Sequence, residues 1–283
     1  MRKIKYVIIT GCSTGIGYKT AKYLKEKKFK VIVSCRKNKD VKRLSKEFDY
    51  SIQLDISSSI SVKKAFILIK KIVKNDSVYG IFCNAGYGQF GAVEDLTRAL
   101  ICKQFETNIF GHIEIINLFI PLMRKQNEGR IIFNSSVLGL VSLPFSSAYN
   151  ATKFAMEAFA RSLRLELKNT NIKVSLIEPG PIESNFNNNV LKNLKLLKIN
   201  NSVYKKRYFT MMKYLNDERN FFTLPALSVA KKVHTALKSK KPKTQYFVTL
   251  PTYLMSYLRV LPNPIFEIFL DLLDNQRKIK HKK

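Results

Sequence analysis

Short apolar runs rich in β-branched residues alternate along this chain with longer stretches in which apolar residues recur every three or four positions. The first pattern predicts buried strands and the second amphipathic helices. The predicted strands are Ile4–Thr10, Lys30–Ser34, Ser51–Leu54, Tyr79–Cys83, Arg130–Asn134, Lys173–Ile177 and Tyr246–Thr249. The predicted helices are Ile16–Lys27, Ser59–Lys74, Thr97–Lys125, Ala148–Leu167 and Ser228–Lys238. Strands alternating with helices predict an α/β chain, a doubly wound parallel sheet of about seven strands with helices on both faces. No internal linker or short-period repeat interrupts the pattern, so residues 1–283 read as one domain.

Two stretches depart from the alternation. Residues 185–225 are rich in Asn, Lys and aromatic residues and carry no sheet signal. An insertion after a sheet strand is expected to act as a substrate lid. Residues 250–283 are first apolar and then basic. The apolar part, Tyr253–Leu273, is open to three readings: packing on the substrate cavity, a subunit contact, or peripheral contact with a membrane. The basic run Gln276–Lys283 (QRKIKHKK) is expected to fray.

A chain of 283 residues, 46% of them hydrophobic, can bury a substantial core. Cys12, Cys35, Cys83 and Cys102 show no CxxC spacing and read as reduced thiols. His112, His234 and His281 lie far apart, so no metal site is expected. The first apolar run is too short for a signal peptide, and no run approaches the ~20 residues of a membrane span. The expected location is therefore cytoplasmic. A net charge of +30 comes from lysines spread over almost every helix and loop. A solvated basic surface explains it; the alternative is attraction to nucleic acid or anionic lipid. No specific nucleic-acid partner is expected.

The chemistry-bearing residues fall at the ends of strands. Gly11, Gly15 and Gly17 sit between a strand and a helix, where a tight turn brings backbone close to a phosphate at a helix N-terminus. This is the dinucleotide arrangement of a Rossmann fold, with G-x-x-x-G-x-G spacing. Beyond the second strand, where an NAD site places a carboxylate, the chain has Ser34-Cys35-Arg36-Lys37. Arg36 is the expected reader of a 2′-phosphate, which favours NADP(H) over NAD(H). Asp55 and Asn84-Ala85-Gly86 end the third and fourth strands. Finally, Ser136 precedes Tyr149-x-x-x-Lys153, whose tyrosine and lysine are one helical turn apart. A phenol ionises near ~10, and an adjacent ammonium is expected to lower that value toward the range useful in acid–base catalysis.

In this order and spacing, residues Lys5 to Ser184 resemble the classical short-chain dehydrogenase/reductases. The resemblance implies that Gly11, Gly15, Ile16 and Gly17 approach the pyrophosphate and ribose, with Ser13 and Thr14 at an adenosine phosphate. It places Asp55 and Ile56 at the adenine and Asn84, Ala85 and Gly86 along the adenosine. Tyr149 would be the general acid or base, and Lys153 would hold the nicotinamide ribose. Ser136 would polarise the carbonyl oxygen, while Asn108 would support a water linking Lys153 to solvent. Pro179, Gly180, Ile182 and Ser184 would border the nicotinamide. Cys83 stands where the family usually has a first Asn, and Ser184 where it has Thr; a small residue and a hydroxyl preserve both functions.

Leu143–Tyr149 and the apolar tail look like hydroxysteroid and retinol dehydrogenase relatives, which implies a small apolar alcohol or ketone as substrate. Family habit further implies a homodimer or homotetramer. Two alternatives stay open: a 3-oxoacyl thioester reductase, and a basic nucleotide-binding protein acting on nucleic acid or membrane.

Overall fold

The apolar runs form seven parallel strands in a computed structural model that describes residues 4–216, 222–262, 264–268 and 270. They are β1 Lys5–Ile9, β2 Lys30–Cys35, β3 Tyr50–Gln53, β4 Ser77–Cys83, β5 Gly129–Asn134, β6 Ile172–Glu178 and β7 Gln245–Phe247. The sheet order is β3-β2-β1-β4-β5-β6-β7. Strand order reverses between β1 and β4, which opens a crevice at their carboxyl ends. Every residue of β4 and β5 is buried, as a parallel strand covered on both faces requires.

Successive strand residues point to opposite faces and so feed two cores. On one face Ile8, Ile81, Ile131 and Phe133 pack with Ile69 of α3 (Ser59–Val73), Phe119 of α5 (Gly111–Lys125) and Met156 of α6 (Ser147–Glu166). On the other, Val7, Ile9, Val33 and Phe82 pack with Leu24 of α1 (Gly15–Glu26), Leu44 of α2 (Asn38–Leu44) and Val233 of α9 (Ala226–Lys238). The short helix α2 was not among the predicted elements. The other boundaries move by a few residues.

The long helix predicted over Thr97–Lys125 is broken. Helix α4 spans Arg98–Phe105, a π-helical turn covers Glu106–Phe110, and α5 follows. Asn108 sits fully buried in that turn. Its Nδ2 donates to the Tyr87 carbonyl and to Thr152 Oγ1, both at 3.1 Å, and its Oδ1 accepts from Tyr87 N at 3.2 Å. The widened turn re-aims one side chain without ending the helical run, so apolar periodicity passes across it unmarked.

Within residues 185–225 the described residues form helices that the sequence did not predict. The segment carries α7 (Phe186–Leu194) and α8 (Lys205–Asn216), with residues 217–221 outside the description. Val190, Leu194, Leu197 and Tyr208 form a small core against Ala92, Leu96 and Ala148. The Tyr208 hydroxyl donates to Asp95 Oδ2 and accepts from Ala92 N, each at 2.7 Å. A parallel bridge between Ile182 and Leu224 ties the two ends of this segment together.

Of the apolar tail, α10 (Leu250–Leu258) is described, and Met255 and Phe266 pack on Leu140 and Val141 beside the cavity. Tyr257, Val260 and Ile265 stay exposed. The basic run Gln276–Lys283 lies outside the described residues. Among the described residues no helix is long and apolar enough to cross a membrane, and no group of residues could hold a metal ion.

Candidate active site

The glycine turn is held by its neighbours' backbone. Thr10 Oγ1 accepts from Asn84 N and Ala85 N, each at 2.9 Å, so the ends of β1 and β4 are stitched across the switch point. Asn84 Nδ2 donates back to the carbonyls of Thr10 and Gly11, and its Oδ1 accepts from Asn134 Nδ2. A Cβ on Gly17 would lie 2.3 Å from the Gly11 oxygen and 2.6 Å from Asn84 Nδ2, and Gly11 itself has φ of +71°. Only glycine lets these backbones meet. The first turn of α1 that follows holds no acidic residue, and its free N–H groups favour an anion. Arg43 on α2 donates to the Ser13 carbonyl and steadies the loop. Asp55 is partly occupied: its Oδ1 accepts from the amide (3.1 Å) and hydroxyl (2.7 Å) of Ser57.

At the other end of the crevice, β5 delivers Ser135 and Ser136, and α6 presents Tyr149 and Lys153 one turn apart. Ser136, Tyr149 and Lys153 are each at most 9% exposed. Ser136 Oγ accepts from Leu138 N at 3.1 Å, and the Ser136 hydroxyl acts on the Tyr149 phenol. Lys153 Nζ donates to the Asn134 carbonyl at 2.6 Å and stands 5.5 Å from the Tyr149 ring centre. Phe90 and Phe186 flank the tyrosine, with ring centres 6.0 and 5.3 Å from it.

The electrostatics differ from the sequence expectation. Burial pushes the Tyr149 phenol well above its usual range, and the Ser136 hydroxyl only opposes this. Lys153 does not offset it, because burial lowers the ammonium itself to about 8. The protein alone therefore keeps Tyr149 protonated. Beneath the pair lies His112, buried neutral with its pKa lowered to about 3 by burial and by Lys153. Its Nδ1 faces the Asn108 carbonyl at 3.3 Å and its Nε2 faces Thr10 Oγ1 at 3.5 Å. Sequence reasoning gave no role in the site to Thr10, which opens the glycine motif, or to His112 and Asn134. Thr10 and Asn134 at least carried a signal, since each ends a strand bordering the switch point.

One cavity of roughly 2430 Å³ runs from the glycine turn to Tyr149. Gly11, Ser13, Thr14, Gly15, Ile16, Gly17, Arg36, Asp55, Ile56 and Asn84–Gly86 line one end; Ser136, Tyr149, Lys153, Pro179, Gly180 and Ile182 line the other, and Ser184 packs on Gly15. Asn108 alone among the expected site residues does not reach it; its side chain is spent on Tyr87 and Thr152. An elongated cavity with a glycine cradle and a helix N-terminus at one end fits a dinucleotide.

Fold and cavity together define a nicotinamide-dependent oxidoreductase of the Rossmann class. Residues 5–195 match the family described as short chain dehydrogenase, and the chain belongs to that family. It is 39% identical over 264 residues to an uncharacterized oxidoreductase of Escherichia coli (strain K12), YbbO, covering 93% of each chain. To the human 17-beta-hydroxysteroid dehydrogenase type 1 it is 32% identical, over 86% of this chain and 77% of the relative. Its fold is similar to that of a Burkholderia phymatum short chain dehydrogenase/reductase solved in complex with NAD: TM-score 0.76, 20% identity, covering 90% and 92% of the two chains.

Proposed function

We propose that this protein is an NADP(H)-dependent oxidoreductase acting on a secondary alcohol or carbonyl of an apolar, steroid-, retinoid- or lipid-like molecule. The observation that carries the reading is the convergence of Ser136, Tyr149 and Lys153 on the cavity that begins at the glycine turn. When bound, the nicotinamide supplies or accepts the hydride. Tyr149, held protonated by burial, gives its proton to the substrate oxygen in reduction and recovers it in oxidation. Ser136 donates to the same oxygen. Lys153 contributes the positive charge that stabilises the phenolate left behind, and it would hold the nicotinamide ribose. Asn108 acts at one remove, by fixing the π turn against α6.

Arg36 lines the cavity where a 2′-phosphate would lie, which supports NADP(H). The apolar character of the substrate is supported by Phe90 and Phe186 beside Tyr149, by Leu143 and Met211 along the same cavity, and by the likeness to a hydroxysteroid dehydrogenase. Helices α7 and α8 would act as the lid over this end. Half-exposed or exposed Ile113, Phe110 and Phe159 on α5, the π turn and α6 support a homodimer or homotetramer.

The test is NADPH consumption by the purified protein against steroids, retinoids, acyl thioesters and small ketones. The expected result is turnover that is fastest with apolar ketones and faster with NADPH than with NADH. A thioester as best substrate would replace the substrate assignment. No consumption with any member, together with salt-dependent retention on DNA or anionic vesicles, would overturn the enzymatic reading in favour of a binding protein.

A further inference from the structure

Tyr149, Lys153 and Glu157 follow one another at four-residue spacing along one face of α6, and all three are buried. The reaction described above uses only the first two. Glu157, 4% exposed, meets Glu178 at the end of β6, which is wholly buried. The two buried carboxyl groups meet at a single amide and act on each other's charge. Gln245 of β7 clamps them, its Nε2 donating to Glu178 Oε1 at 2.6 Å and lying 3.4 Å from Glu157 Oε2. Glu157 Oε1 and Glu178 Oε2 have no donor among the described residues if both groups are ionised. Two facing buried carboxylates would also repel. One proton between them removes both costs and leaves a single negative charge.

The surroundings agree with a count of one. Burial, then the charge of Glu157, pushes Glu178 up to about 8, and burial raises Glu157 as well. Other charged or donor groups act on the pair from β5, α6, β7 and the end of α10. Ser135 faces Glu157 from the end of β5; Arg161 on α6 stands 3.7 Å from Glu157 Oε2. Arg164 on α6 and Arg259 after α10 also act on the pair. Lys153 is the cation one turn away toward the cavity, and Glu157 opposes the lowering of its pKa. The pair is also mechanically close to the site. A Cβ on Gly139 would fall 2.8 Å from Ser135 Oγ, 3.1 Å from the Lys153 carbonyl and 3.3 Å from Glu157 Cγ. The turn after Ser136 therefore lies directly on the Lys153–Glu157 segment of α6.

We infer that Glu157 and Glu178 form a proton-sharing carboxyl pair whose one negative charge, a helical turn behind Lys153, keeps the buried Lys153 ammonium protonated during the reaction. Glu157 is thus a positioning residue, and the inference rests on the roles proposed for Tyr149 and Lys153.

The test combines three measurements on the full chain. Lysine NMR titration, with Lys153→Met assigning the signal, reads the Lys153 pKa directly. In E157Q it is expected to fall by about one unit, the scale set by one opposite charge at this range. In E178Q it should hold within a few tenths, because the charge then stays on Glu157. Infrared spectra at neutral pH should show the carbonyl band of a protonated buried carboxylic acid in the native protein and lose it in E178Q. The alkaline limb of kcat/KM should move to lower pH in E157Q by the same amount as the NMR pKa. An unmoved Lys153 pKa in E157Q, even with activity reduced, would overturn the inference and leave a merely structural role. So would the absence of the infrared band in the native protein, a result that stands even where E157Q does not fold. A moved NMR pKa with an unmoved kinetic limb would keep the pair and overturn instead the proposed part of Lys153 in catalysis.

Discussion

The glycine rim of the cavity and the roof above Tyr149 are built from different material. At the rim, between β1 and β4, backbone lies on backbone, and Gly17 leaves no room for a single added carbon. At the roof, α7, α8 and the turn between them offer side chains: Phe186 against Tyr149, with Leu196, Val203 and Phe209 exposed. Few sequences satisfy the rim, whereas many roofs of similar apolar bulk would cover the same site. The rim therefore carries what is common to the chemistry, a bound dinucleotide. On the proposed reading the roof would carry what is particular, the choice of substrate.

Substitutions should reproduce that asymmetry. The largest effect is expected at the rim. Gly17→Ala forces a carbon into the Gly11 carbonyl and should weaken NADPH binding at least about a hundredfold, near 3 kcal/mol, read by fluorescence titration. An affinity within threefold of the native value would mean that the turn yields easily. Next in size is Arg36→Ala, which removes a charge-assisted contact worth roughly 1.5–3 kcal/mol. The ratio of NADPH to NADH affinity should drop about ten- to a hundredfold, and an unchanged ratio would rule out the phosphate-reading role. The smallest effect belongs to the roof. Phe186→Ala strips part of an aromatic face from the substrate end and should raise KM about fivefold, near 1 kcal/mol, with kcat little changed. A collapse of kcat would show that the roof positions the reacting groups as well as covering them.

The same asymmetry governs how much was legible in the sequence. The central strands could be read because burial on both faces leaves continuous apolar runs, as in Ile4–Thr10 and Arg130–Asn134. Gly11–Gly17 and Tyr149–Lys153 were legible because their chemistry depends on local spacing, within one turn of backbone. The lid helices were not. Asn187, Asn188, Asn189 and Asn193 crowd α7, and its apolar stripe is short because it packs on a satellite cluster and not on the main core. The π turn at Asn108 was hidden because widening one turn leaves the apolar pattern on either side intact. The pKa of Tyr149 was misjudged because burial, which dominates it, belongs to the packed site and not to the motif. Lys153 is held by a backbone carbonyl, Asn134, and no residue type records such a partner. Likewise the carboxyl pair joins a helix to a strand end, so no local spacing announces it.

The most direct trial of the whole reading is Tyr149→Phe, with turnover and NADPH affinity measured on the same preparation. Loss of the phenolic proton should lower turnover by roughly two to four orders of magnitude, the scale of a removed acid–base group, while NADPH affinity stays within about twofold. Turnover near the native rate would contradict the account, because the cavity would then carry out its reaction without the group placed at its centre.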